Sequence, residues 1–194
     1  MSFRDSLFFQ VLRPLVLGGV RINPVLRQLD AKPSEHVLDA GCGFGYLVKH
    51  FKTCYYTGVD SDPGRIDWAK SHIGEHKKRK FIAADICHTQ LPAKSFDKAV
   101  AFGLLHHLPD DVAARCVREL SRLVKGNIVF LDGVYSDYHV INNILCKYDQ
   151  GKYVRRSSEY VSLVSPHVKS VKSSFYHAYS GIAKYFMMTC EAAP

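Results

Sequence analysis

The sequence predicts a single α/β unit: a seven-stranded, mainly parallel sheet with an antiparallel last strand and helices on both faces. Three observations carry that expectation. Short strand-like runs alternate with amphipathic segments of helical period between residues 36 and 131, the pattern of parallel strands joined by crossovers. A glycine-rich turn, Gly41-Cys42-Gly43-Phe44-Gly45, directly follows the first of those runs. The chain then closes on two longer strand-like runs with a short link between them, which suits a hairpin and so reverses one strand. With 194 residues there is enough chain for one sizeable core.

The elements follow in order. Over residues 3–18, Leu7, Phe8, Val11, Leu12, Leu15 and Val16 recur at helical spacing, so an amphipathic helix is expected, bent at Pro14. Gly18-Gly19 ends it, and a second short helix is expected over residues 24–29. Residues 1–30 thus read as an amphipathic helical lid or cap, ahead of a main domain over residues 31–194. Three roles stay open for the first helix: a packing element, a lid over a substrate, or a peripheral membrane contact through its Phe- and Leu-rich face.

The first strand is expected over residues 36–39. Tyr46, Leu47, Val48 and Phe51 then share one helical face, so a helix is expected to start from the glycine turn. A second strand (residues 55–60), a second helix (63–72), a third strand (81–84) and a fourth (98–102) follow. Residues 110–124 read as an amphipathic helix burying Val112, Ala113, Cys116, Val117, Leu120 and Leu123. The fifth strand is expected over 128–131, and residues 133–156 as an irregular or helical insertion. A helix over 158–164, with Glu159 in its first turn, precedes the last two strands, 171–179 and 184–190.

Composition sets limits. Hydrophobic residues make up 47% and charged residues 23%, the mixture of a soluble globular protein. The net charge of +8 leans towards anionic partners. Its tightest run, His76-Lys77-Lys78-Arg79-Lys80, falls between a helix and a strand and reads as a solvated loop, so a nucleic-acid partner is not expected. Six well-separated cysteines without a C-x-x-C pair argue against a zinc site and against a secreted disulfide framework. A cytoplasmic location with reduced thiols is expected. No run of about 18 apolar residues is present to span a bilayer.

The glycine turn carries the chemistry. Glycine adopts positive φ and lets a ligand lie on the backbone. The spacing here is G-x-G-x-G, with Asp39 two residues before Gly41. A carboxylate there repels a pyrophosphate and suits a cationic ligand without phosphate. The stretch Asp39 to Gly45 resembles motif I, of D/E-x-G-x-G-x-G form, of the class I (Rossmann-like) S-adenosylmethionine-dependent methyltransferases. Asp60 lies 21 residues beyond Asp39, at the end of a strand-like run, where an acid can take both hydroxyls of a ribose. Phe96-Asp97-Lys98-Ala99-Val100 is similar to the family's F-D-x-(apolar)-(apolar) sequence. Leu105-His106-His107-Leu108-Pro109-Asp110 is similar to its L-H-H-L-x-D segment.

The resemblance implies that S-adenosyl-L-methionine is the cofactor and S-adenosyl-L-homocysteine its product. It implies a cradle of Asp39, Gly41, Cys42, Gly43 and Gly45, with Asp60 and Ser61 at the ribose. Asp85 is implied at the adenine amino group, Ile86 on the adenine ring, and Gly103 at the end of the fourth strand. His106 and His107 follow that strand, beside the expected methionine end, and either can serve as a base or simply pack and cap the next helix. Tyr46, Tyr135 and Arg155 are candidates for the acceptor pocket, Arg155 for an anionic group.

No N/D-P-P-Y/F motif follows the fourth strand and no Pro-Cys pair suits attack on a pyrimidine. A small-molecule acceptor, apolar or aromatic and methylated at oxygen, nitrogen or carbon, is therefore expected. RNA or protein methylation, a nicotinamide-dependent oxidoreductase and a non-catalytic cofactor-binding protein are the alternatives.

Overall fold

The computed structural model describes residue 20, residues 22–148 and residues 151–194. The helix expected over residues 3–18 lies outside the described residues. In chain order the elements are α1 (Ile22–Leu29), β1 (His36–Ala40), β2 (Tyr55–Asp60), α2 (Pro63–His72), β3 (Arg79–Ala83), β4 (Lys98–Phe102) and α3 (Asp110–Leu123). They continue with β5 (Asn127–Tyr135), α4 (Val140–Tyr148), β6 (Arg155–Arg156), α5 (Ser157–Val164), β7 (Val168–His177) and β8 (Lys184–Ala192).

The sheet order is β3-β2-β1-β4-β5-β8-β7. The first five strands of that path are parallel, and β8 runs antiparallel to both its neighbours. The expected seven strands are joined by an eighth, the two-residue β6, which pairs with the far end of β5.

The central strands bury both faces, which is why they read as near-continuous apolar runs. Alternate residues point to opposite sides. Leu38, Ala40, Ala99, Ala101, Ile128 and Phe130 pack with Ala113, Cys116, Val117, Leu120 and Leu123 of α3. Val37, Val100, Val129 and Leu131 pack on the other side with Val25 and Leu29 of α1 and Ile66 and Ala69 of α2. Full burial of each large aliphatic side chain contributes about 1.5–3 kcal/mol, so α1 is held by the same core as the sheet. α2 starts where its sequence dictates: Asp62 accepts from the N–H groups of Gly64 and Arg65, and Pro63 needs no donor there.

The structure departs from expectation just after the glycine turn. Instead of an α-helix, the chain makes turns and a short 3₁₀ helix, Val48–His50. β1 and β2 are parallel, so the link must run back along about 17–20 Å of strand. Residues 46–54 as α-helix would cover only about 14 Å, so a more extended path is needed. β5 also runs four residues beyond the expected strand, to Tyr135. Among the described residues, no helix is long and apolar enough to cross a membrane.

Candidate active site

The glycine turn sits at the carboxyl end of β1 and is tied to β2. The N–H groups of Gly41 and Cys42 donate to Val59 O at 2.8 and 3.0 Å, and Gly43 N donates to Asp60 Oδ2 at 2.8 Å. Gly45 has φ +75°, and a Cβ there would lie 2.8 Å from Phe81 Cε1, so both backbone and space require glycine. Gly43 has φ +55°, with nothing within 4 Å of where a Cβ would stand. Its outer side is therefore open to a ligand lying on the backbone.

Three carboxylates stand at or next to the carboxyl ends of β1, β2 and β3. Asp60 closes β2 and is 6% exposed. Its Oδ2 takes the Gly43 N–H and its Oδ1 the Asp62 N–H at 3.0 Å. A carboxylate has about four acceptor positions, so two remain for a diol. Asp85 lies just past β3, exposed, with Oδ1 accepting from Cys87 N at 2.9 Å. That backbone hydrogen bond holds its carboxyl below the usual range, so Asp85 presents an ionised acceptor, while Ile86 beside it is buried.

Asp39 is 1% exposed and accepts from the Tyr56 hydroxyl at 2.6 Å. Burial pushes its carboxyl up to about 7; the Tyr56 hydrogen bond opposes this and the charge of Asp60 reinforces it. The Tyr56 phenol is raised as well, chiefly by burial, and stays protonated.

A pH prediction follows from Asp39. Its folded pKa of about 7 exceeds the unfolded value near 3.9, so the ligand-free folded state holds the extra proton between those limits. Stability therefore falls as pH rises through that window. Asp39→Asn removes the dependence. In denaturant melts, the stability of the variant relative to wild type is expected to rise by on the order of 2–3 kcal/mol from pH 5 to pH 8. An equal difference at both pH values would contradict the buried, proton-holding state.

Both histidines follow β4 on a 3₁₀ turn, Leu105–His107. Nδ1 of His106 lies 2.6 Å from Asp132 Oδ1, which also accepts from the His106 backbone N–H at 3.1 Å. Asp132 is buried in β5, and its Oδ2 has no hydrogen-bond partner among the described residues. A neutral imidazole facing this carboxylate carries its proton on Nδ1, which places the basic lone pair on Nε2. A Cβ at Gly103 would lie 3.4 Å from His106 Cε1, and one at Gly151 only 1.9 Å from Cδ2. The ring edge bearing Nε2 thus runs between the end of β4 and the backbone of Gly151. His107 is exposed, its ring centroid 4.1 Å from that of His106.

Residues 37–127 match the family model described as a methyltransferase domain. This stretch is a methyltransferase domain. A ubiquinone biosynthesis O-methyltransferase of Coxiella burnetii is 32% identical over 120 residues, covering 59% of this chain and 49% of that protein. Cycloartenol-C-24-methyltransferase of Arabidopsis thaliana is 32% identical over 104 residues, covering 50% of this chain and 30% of that protein. The chain spans about half the length, or less, of these curated relatives. Among solved structures, a TehB-like SAM-dependent methyltransferase from Corynebacterium glutamicum aligns with TM-score 0.67 at 19% identity, covering 98% of each chain. Magnesium protoporphyrin IX methyltransferase from Synechocystis, with bound SAM, aligns with TM-score 0.66 at 16% identity, covering 89% of this chain and 78% of that one. At such identities the likeness is one of fold.

Within the methyltransferase domain and its flanks, the proposed residues divide. Asp39, Gly41, Cys42, Gly43, Gly45, Asp60, Asp85, Ile86 and Gly103 gather along the carboxyl edge of β1 to β4, with Ser61 exposed beside Asp60. Tyr46 is 58% exposed and clusters with Phe44 and Trp68 on the turn's surface. Tyr135 ends β5, paired with Arg156 of β6.

Arg155 overturns its expected role. Its five N–H groups are all engaged: Nε and Nη2 with Asp110 Oδ1, Nη1 with Leu105 O and Tyr153 O, and Nη2 again with Leu108 O. No donor is left for an anionic acceptor. Arg155 instead pins the histidine turn to the strand beside it.

Asp132 was legible as a charge inside the apolar run Ile128 to Tyr135, but a strand expected to stop at Leu131 hid it. Tyr56, the partner of Asp39, carried no signal beyond its place in a strand.

Proposed function

We propose that this chain binds S-adenosylmethionine across the carboxyl edge of β1 to β4 and moves its methyl group to a small, apolar or aromatic acceptor. The observation that carries this reading is the open glycine turn flanked by Asp39, Asp60 and Asp85, each on a different strand end of one methyltransferase domain. Ligands of such sheets bind outside the strands' carboxyl ends. Asp60 takes the ribose hydroxyls, Asp85 the adenine amino group, and Ile86 packs on the adenine ring. Asp39 supplies negative charge beneath the cationic methionine end, and that cation favours its ionised form.

Bound cofactor supplies a methyl carbon already activated by its sulfonium. The chain's own part is alignment, which can lower a barrier by about 7–11 kcal/mol, together with proton management. For a hydroxyl acceptor, the oxygen forms its bond to the methyl carbon as the carbon–sulfur bond breaks, leaving a neutral thioether. Nε2 of His106 receives the hydroxyl proton, and Asp132 stabilises the imidazolium. The names of two relatives, a ubiquinone biosynthesis O-methyltransferase and a cycloartenol-C-24-methyltransferase, favour an apolar acceptor with a hydroxyl or carbon nucleophile.

Calorimetric titration with S-adenosylhomocysteine tests the cofactor step. Micromolar or tighter binding is expected, followed by label transfer from methyl-labelled donor in an acceptor screen. Absence of binding by demonstrably folded protein would overturn the reading.

A further inference from the structure

Helix α4 is built with its polar side inward. Asn142 is 1% exposed; its Nδ2 donates to Val134 O and its Oδ1 accepts from Lys184 N, both at 2.7 Å. Asn143 accepts from Ser136 N at 2.9 Å and donates to Ser136 O at 2.7 Å. These bonds fasten the helix to the end of β5 and the start of β8. The apolar side therefore faces out: Val140, Ile141 and Ile144 are 72%, 64% and 49% exposed, and Tyr138, just before the helix, is 92% exposed. A globular helix ordinarily buries such a stripe.

The β7–β8 hairpin extends this surface. Phe175, Tyr179 and Ile182 are all exposed there. The rings of His139 and His177 meet at 5.8 Å, and Lys184 Nζ lies 4.1 Å above the Phe175 ring, so helix and hairpin form one continuous face.

Charge and position point to the occupant. Lys147 of α4 is exposed and Lys184 of β8 lies over the Phe175 ring, while Asp137, next to Tyr138, is already paired with Arg156. Apolar side chains framed by tyrosine and lysine, with the neighbouring Asp137 carboxylate taken up by Arg156, suit an anionic bilayer surface. The aliphatic groups enter the headgroup boundary while the ammonium groups reach lipid phosphates. Gly133 pairs with Tyr185, beyond the Leu131–Met187 pair that is level with the end of β4. The face thus rises from the same sheet edge that carries Gly103 and His106.

We propose that α4 and the β7–β8 hairpin form a docking surface for an anionic lipid bilayer. The proposal places membrane contact on this face and stands independently of methyl transfer, since vesicle binding requires no turnover.

Cosedimentation of the full chain with phosphatidylcholine vesicles, with and without phosphatidylserine, tests it. Phosphatidylserine is expected to raise binding roughly tenfold or more. Ile141→Asp combined with Ile144→Asp, and separately Tyr138→Glu, are expected to lower it by a similar factor while melting and S-adenosylhomocysteine affinity stay unchanged. Lys77→Glu with Lys80→Glu, on the exposed basic run that leads into β3, makes a larger change in charge yet is expected to leave most binding intact. Three results would overturn the proposal: no vesicle binding by wild type, an equal loss in the Lys77→Glu with Lys80→Glu variant, or a dimer that Ile141→Asp and Ile144→Asp dissociate. The last would assign the face to a second copy of the chain.

Discussion

Asp60→Ala is expected to weaken S-adenosylhomocysteine binding by on the order of 1–3 kcal/mol, about tenfold to a hundredfold in affinity. Two losses combine. The variant removes the charged acceptor proposed for the ribose, and it leaves the Gly43 N–H, held at 2.8 Å by Asp60 Oδ2, without its partner. Asp60 also accepts from Asp62 N, the residue that caps α2, so the strand end, the turn and the helix start are coupled through one side chain. Calorimetry gives the affinity and denaturant melts give the stability, which keeps the two effects apart. Asp60→Asn retains one carbonyl acceptor and is expected to fall between wild type and Asp60→Ala in affinity. Unchanged affinity in Asp60→Ala would remove the ribose assignment.

What the sequence discloses depends on how local the cause is. The strands of the buried sheet are legible because burial on two faces demands apolar runs, and α3 is legible because its inward residues recur at helical spacing. The turn after β1 is legible because positive φ at Gly41, Gly43 and Gly45 leaves glycine as the fitting residue. The segment after Gly45 misleads: Tyr46, Leu47, Val48 and Phe51 have helical spacing, yet the distance back to β2 decides their form. Arg155 misleads for a similar reason. Its carboxylate partner and two of its three carbonyl partners come from residues 105–110, and nothing within its own neighbourhood in the sequence announces them. α4 is the clearest case. Its period is helical, but which side faces inward is set by buried asparagines bonded to Val134 and Lys184, partners that only the fold supplies.

His106→Ala is expected to lower methyl transfer to a hydroxyl acceptor by about a hundredfold or more, with cofactor affinity nearly unchanged. The His106–Asp132 contact of 2.6 Å gives the expectation its structure. An imidazole acting as a base must be held in one tautomer and one orientation, and Asp132 does both by taking Nδ1–H and the backbone N–H of the same residue. Asp132→Asn keeps the shape but removes the charge that stabilises the imidazolium formed during transfer. It is expected to lower kcat substantially while leaving KM for the acceptor near its wild-type value, since the loss falls in the transition state. His107→Ala, whose ring lies outside this buried pair, is expected to change the rate far less. Single-turnover rates with labelled cofactor, measured beside calorimetric affinities, separate chemistry from binding. Near-normal rates in both His106→Ala and Asp132→Asn would assign the buried pair to holding the turn after β4, and would leave alignment of acceptor, methyl and sulfur as the whole source of catalysis.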